Sequence, residues 1–236
     1  MNIQKSAQEI FDKYSKSVVL ILREKESGNQ ERGNRRHFSV GTGFIIGRKG
    51  TSYLVMTCRH LIGGESSKPL SDYKLSVRIP RETKEYKAMN VRDDVDSDLA
   101  IIQINGVTQD CPVLHFGDLE DVAPETPVFQ FGYIVKSAED LHLDPSICPG
   151  TITTPLLEGG PGGIQDVVYN VSSKHGASGS AVMLSNNKVI GVHHVIQPGT
   201  HVSFARSSET VKAIMKNWLR IINETTTIEE MIEQML

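Results

Sequence analysis

The chain has 236 residues, 39% of them hydrophobic and 22% charged, with a formal net charge of −3. That length supports one large all-β domain or two small lobes around a sizeable core, and the charge balance excludes a chain-wide basic surface for nucleic acid. Three widely spaced cysteines, Cys58, Cys111 and Cys148, form no C-x-x-C pair, which removes the usual zinc and redox signatures. A secreted protein of this type is expected to use disulfides, so a reducing compartment is expected here.

At the N-terminus, Ala7, Ile10, Phe11 and Tyr14 recur at helical spacing and predict a short amphipathic helix over 4–15. Lys5, Glu9, Asp12, Lys13 and Lys16 surround it, and the only apolar run is Val18 to Leu22. This is unlike a signal peptide or a membrane span, so an intracellular protein, cytoplasmic or nuclear, is expected, with no membrane partner. SVVLILRE (17–24) reads as a strand. The polar KESGNQERGNRRH (25–37) reads as a loop whose cluster Arg32, Arg35, Arg36 and His37 is either solvated or a small binding patch.

Short apolar runs between turns then continue to about residue 206: SVGTGFIIGR, TSYLVMT, YKLSVRIP, DLAIIQI, PVFQFGYI, DVVYNVS, SAVMLS, KVIGVHHVI and HVSFAR. Such a series predicts a sandwich or a pair of barrels. The glycine-rich EGGPGGIQ (158–165) lacks the Lys-Ser/Thr of a phosphate loop and opens no helix. It reads as a loop whose place ahead of Ser178 could matter for substrate entry. The tail changes period. Ser207 or Ser208 caps a helix with Val211, Ile214, Met215, Trp218, Leu219 and Ile222 at helical spacing. Thr226 or Thr227 caps a shorter one carrying Ile228, Met231, Ile232 and Met235. Both are expected to pack on the β body; the last is also open to a role as an oligomer or partner face.

The chemistry is sought in SSKHGASGSAVML (172–184), where Ser178 sits among glycines. A serine hydroxyl needs a base to take its proton, an acid to orient that base, and N–H donors for the oxyanion. His60 ends the run TSYLVMTCRH and Asp98 stands directly before LAIIQI, giving the chain order His, Asp, Ser. In order, GTGFII, TCRHLI, DSDLAIIQI, GASGSAV and KVIGVH resemble the trypsin-like serine peptidases of the chymotrypsin fold, in particular their HtrA/Do-like and V8-like (glutamyl endopeptidase) branches. VSFARSSETVKAI resembles the segment that closes an HtrA protease domain.

The resemblance covers roughly residues 5–220. It implies an all-β fold of two six-stranded β-barrels, about 16–115 and 116–206, with a short N-terminal helix. A helix from about 207 would complete a protease domain over 1–220, and 221–236 would form a helical tail. It implies His60 as general base, Asp98 as its orienting acid, Ser178 as nucleophile, and the N–H groups of Gly176 and Ser178 as oxyanion hole. Ala177 stands where the family usually has Asp or Asn, which leaves open what locks the oxyanion loop. No PDZ domain is expected to follow.

In this fold the residues before the nucleophile and the strand after it line the substrate pocket, here Ser172, Ser173 and GVHHV. Ser172, rather than Asp, at the position six before the serine argues against Lys/Arg specificity. His193 follows VIG with the spacing of GIH in V8-like enzymes. With Ser173 it would suit a carboxylate or carboxamide, so that Glu, then Gln or Asp, is expected before the scissile bond. The alternative is a satisfied strand histidine beside a small apolar pocket. His194 should point to the opposite face of the strand. His175 and His193 could lie close, but no H-E-x-x-H spacing is present, and no metal or cofactor is expected. The function implied is an intracellular serine endopeptidase acting on a protein or peptide. Two alternatives stay open: a weakly active protease-fold scaffold, and an adaptor using residues 32–37 and the tail helices.

Overall fold

The computed structural model describes residues 2–25, 38–63, 73–135 and 144–236; the basic cluster within 26–37 lies outside them. Helix α1 (Ile3–Tyr14) begins at Asn2, whose side chain accepts from the N–H groups of Gln4 and Lys5. It buries Ile10 and Tyr14 and sets Phe11 against Phe131.

Strands β1 (Val18–Lys25), β2 (Phe38–Lys49), β3 (Ser52–Cys58), β4 (Tyr73–Arg78), β5 (Glu85–Asp94) and β6 (Leu99–Ile104) close into a barrel in the order β1-β2-β3-β6-β5-β4. The apolar runs in β1, β3 and β6 are continuous because both faces are buried. Alternate residues Val19, Ile21, Val55, Ile102 and Ile104 fill this barrel, while Leu20, Leu22, Leu54, Met56 and Ile101 face a larger core shared with the second barrel.

The second half supplies β7 (His115–Phe116), β8 (Pro127–Gly132), β9 (Ser146–Glu158), β10 (Gln165–Asn170), β11 (Ala181–Leu184), β12 (Lys188–Ile196) and β13 (Val202–Ser207). The order β11-β8-β9-β10-β13-β12 closes through a β11–β12 pairing, and β7 adds a short parallel pairing to β12. Two six-stranded barrels with an N-terminal helix and C-terminal helices make a chymotrypsin-like fold.

Two long strands are absent from the sequence reading. In β5 only Tyr86 and Ala88 are buried, so its polar sequence shows little apolar alternation. β9 contains Pro149, Gly150 and Pro155, which argue against a strand. The register explains them. Pro149 pairs with Phe129 of β8, but pairing with β10 begins only at Thr151, so its missing N–H falls on an open side. Pro155 lies where the β9–β10 register shifts. At Gly150 a Cβ would stand 2.2 Å from the Asn170 carbonyl oxygen.

EGGPGGIQ forms the tight connection between β9 and β10, with Gly162 and Gly163 in the left-handed region. Helix α3 (Ser208–Leu219) is capped by Ser207, and α4 (Ile228–Met235) by Thr227 in a capping box with Glu230. Ile228, Met231 and Ile232 join the shared core, so the α4 face that was open to packing or partner binding packs. Among the described residues no helix is long and apolar enough to cross a membrane.

Candidate active site

The first barrel brings His60 and Asp98 together. Strand β3 ends at Cys58 and runs into the single turn α2 (Arg59–Ile62), which carries His60. Arg23 of β1 donates to the Gly63 carbonyl and, at 3.4 Å, to that of His60, fixing the end of this turn. Asp98 closes the turn between β5 and β6 with φ +56°. Its carboxylate accepts twice from His60, at 2.7 Å from ring Nδ1 to Oδ2 and at 2.8 Å from the backbone N–H to Oδ1. Its carbonyl accepts from the Arg59 N–H at 2.9 Å. Burial alone would raise the Asp98 carboxyl; the hydrogen bonds and charge of His60 outweigh it and hold the group below its ordinary range. With Nδ1 donating to the carboxylate, Nε2 is the nitrogen left to take a proton.

Ser178 lies in irregular chain between β10 and β11, and much of what holds that chain comes from the first barrel. The Thr42 N–H of β2 donates to the Ser178 carbonyl at 2.8 Å. The Thr42 hydroxyl donates to the Gly176 carbonyl at 2.7 Å and accepts from the Tyr133 N–H at 2.9 Å. The Ser180 hydroxyl and N–H both donate to the Ala177 carbonyl. Gly179, with φ +83°, brings the chain so close to β2 that a Cβ would stand 2.0 Å from the Thr42 carbonyl oxygen. These contacts hold the loop without an acidic side chain at position 177.

The orientation of the loop follows from one further bond. Val135 N–H donates to the His175 carbonyl at 2.9 Å. A trans peptide sends its C=O and N–H in opposite directions, so the Gly176 N–H faces away from Val135. Neither the Gly176 nor the Ser178 N–H has a hydrogen-bond partner among the described residues. Two unpaired donors beside a serine are what an oxyanion site requires.

His60, Ser178, Gly176, Ser173 and His193 line one cleft of about 430 Å³. His193 is buried and held at both ring nitrogens, by the Tyr169 hydroxyl on Nδ1 at 2.8 Å and the Ser173 hydroxyl on Nε2 at 3.0 Å. Gln130 Nε2 donates to Ser173 Oγ at 3.0 Å. Burial, with the nearby His194 and His60, pushes the His193 imidazole down to about 3, so it is neutral at ordinary pH. Ser172 does not line this cleft. It lines a separate cavity of about 10 Å³ behind the loop, together with Gln130 and Ala177. Among the described residues of 158–165, none lines the cleft.

His194 does not simply turn to the opposite face as alternation would have it: the strand register shifts between His193 and Val195, so His194 also lines the cleft, with its Nε2 3.3 Å from Asp166 Oδ1. Among the described residues Cys58, His60 and Asp98 are the one group close enough to share a metal ion. Burial pushes the Cys58 thiol well up, and its Sγ donates to the His193 carbonyl at 3.2 Å, which disfavours the thiolate a metal needs. Sequence reasoning did not find Thr42, Gln130 or Tyr169, since each acts through a partner distant in sequence.

The two barrels, and a cleft that gathers Ser178, Gly176 and a histidine hydrogen-bonded to Asp98, have the architecture of a chymotrypsin-like peptidase. Residues 41–192 match the trypsin-like peptidase domain, and the chain belongs to that family. No curated protein matches the chain.

Proposed function

We propose that the protein is a serine endopeptidase whose triad is His60, Asp98 and Ser178. The observation that carries this reading is His60, doubly hydrogen-bonded to Asp98, lining one cleft with Gly176 and Ser178, whose N–H groups have no partner among the described residues. Ser178 Oγ attacks the scissile carbonyl carbon and its proton passes to His60 Nε2. The carbonyl π electrons move to oxygen, where the Gly176 and Ser178 N–H groups receive the charge; one such donor is worth about 3 kcal/mol. The intermediate collapses, the C–N bond breaks, and His60 returns the proton to the leaving amine. Water then repeats the sequence to release the acid and regenerate Ser178. Asp98 keeps its negative charge and steadies the His60 cation.

The substrate is a protein or peptide, and the side chain before the cut meets Ser173 and His193. A neutral imidazole and a hydroxyl suit a carboxylate or a carboxamide, which supports Glu, with Gln or Asp next, and an affinity with the V8-like and HtrA/Do-like branches. Cleavage of a peptide library by wild type but not Ser178→Ala tests the reading. Cuts after Glu, Gln or Asp that are lost in His193→Leu support the pocket assignment. Cuts after small apolar residues, unaffected by His193→Leu, contradict it.

A further inference from the structure

A second charged cluster lies behind His60 and Asp98 and takes no part in the chemistry above. Arg206 on β13 and Asp166 on β10 are paired in register and are 7% and 4% exposed. Arg206 Nη1 donates to Asp166 Oδ1 at 2.9 Å and to Oδ2 at 3.0 Å. Arg206 Nε crosses between the barrels and donates to the Ser97 carbonyl at 2.6 Å. That carbonyl belongs to the peptide leading into Asp98, and a peptide moves as one rigid plane. From the first barrel, Asp94 Oδ2 accepts from the Ser97 N–H and hydroxyl, each at 2.7 Å. Ser97 is fully buried. Asp98 itself has the left-handed φ of +56°, which a non-glycine residue keeps only where its surroundings over-determine it. The β9–β10 connection closes over the pair: a Cβ on Gly159 would stand 2.5 Å from Asp166 Oδ2 and 3.0 Å from Arg206 Nη1.

We propose that Arg206, held by Asp166, is a positioning residue for Asp98. From the second barrel it fixes the Ser97–Asp98 peptide, and thereby aims the carboxylate at both His60 donors. The proposal rests on the serine-peptidase reading. It makes the His60–Asp98 geometry depend on barrel-to-barrel contact, although both residues belong to the first barrel.

The test is the pH dependence of fluorophosphonate labelling in wild type, Arg206→Lys, and the double variant Arg206→Met with Asp166→Leu. Lysine keeps a charge for Asp166 but lacks the fork that also reaches Ser97. The double variant removes both buried charges at similar volume, a change folds usually tolerate. The other titratable groups around His60 and Asp98, namely Cys58, Arg59, Asp93, Asp94, His193 and His194, are the same in all three proteins, but the double variant also takes the Asp166 carboxylate away from His194, so the pH limb is judged on Arg206→Lys. Labelling about tenfold to a hundredfold slower is expected, the usual effect of a small misplacement. The acid limb of the profile should also move to lower pH, because a misaimed carboxylate steadies the imidazolium less. A general loss of folded protein scales the rate at every pH and leaves that limb in place.

A wild-type rate, or a slower rate with an unmoved limb, in folded Arg206→Lys overturns the proposal whether or not the double variant folds. Wild type that does not label at all defeats the peptidase reading instead. The low-field proton resonance of the His60–Asp98 bond, compared in Ser178→Ala with and without Arg206→Lys, then decides the placement alone: its loss supports the proposal and its retention contradicts it.

Discussion

The two barrels support their parts of the cleft differently. In the first, His60 and Asp98 sit where regular strands end, one on the turn after β3 and the other on the turn before β6. The β3–β6 register, with Cys58 opposite Leu99, delivers them side by side. In the second, Ser178 stands on irregular chain that gains its shape from hydrogen bonds to Thr42 and Val135 and from the close approach of Gly179 to β2. Register brings His60 and Asp98 side by side and leaves only the aim of Asp98 to a contact from the second barrel, whereas the Ser178 loop takes much of its shape from the opposite barrel. The serine side should therefore be the more easily disturbed by distant substitutions.

The largest effects should come from the chemical groups themselves. Ser178→Ala should lower turnover on the order of a million-fold, and Asp98→Asn about 10⁴-fold, measured as kcat/KM on any peptide that wild type cuts. Retention of more than a hundredth of the wild-type rate in either would place the chemistry elsewhere. Next is the loop. Thr42→Val leaves the Tyr133 N–H and the Gly176 carbonyl without their partner, at about 1–3 kcal/mol of stability for a buried unpaired group. It should lower kcat roughly tenfold to a hundredfold with KM little changed, and Thr42→Ser should restore it. Loss of kcat in Thr42→Ser as well would show that the methyl packing matters more than the hydroxyl. Gly179→Ala, which must fit a methyl group against the Thr42 carbonyl at an unfavourable φ, should destabilise by about 3 kcal/mol, read as a fall in Tm.

The last effect is confined to acid pH. The His193 imidazole falls from 6.5 to about 3 on folding, so between those values the unfolded chain binds a proton that the folded chain refuses. The contribution is fully present above pH 6.5 and is lost as pH falls toward 3. Tm of wild type should drop over that interval more steeply than Tm of His193→Gln. Parallel curves would mean that His193 is not buried and neutral as described.

How much was legible in sequence divides along the same line. His60, Asp98 and Ser178 could be singled out as candidates because each adjoins an apolar run with a clear end; the succession of such runs pointed to a sandwich or a pair of barrels, and the resemblance to trypsin-like peptidases decided between them. The amphipathic α3 was visible for a similar local reason, and of the two serines that could cap it the cap is Ser207. β5 and β9 were not, since one shows few inward apolar side chains and the other carries prolines that only the pairing pattern accommodates. The support for the site was invisible for a different reason. Thr42 meets Gly176, Tyr169 meets His193, and Arg206 meets Ser97 only after both barrels have closed, and nothing local marks Thr42 as more than a small strand residue. Ala177 shows the cost of local reading: the position lacks an acid, yet hydrogen bonds to its neighbours and its own carbonyl hold the loop.

The central claim is that Ser178 is an activated nucleophile. It is tested most directly by fluorophosphonate labelling of the folded protein, with the modified residue identified by peptide mapping. Stoichiometric labelling is expected at Ser178 and should disappear in Ser178→Ala and His60→Ala. Folded wild type that does not label, or that labels equally well in His60→Ala, would contradict it.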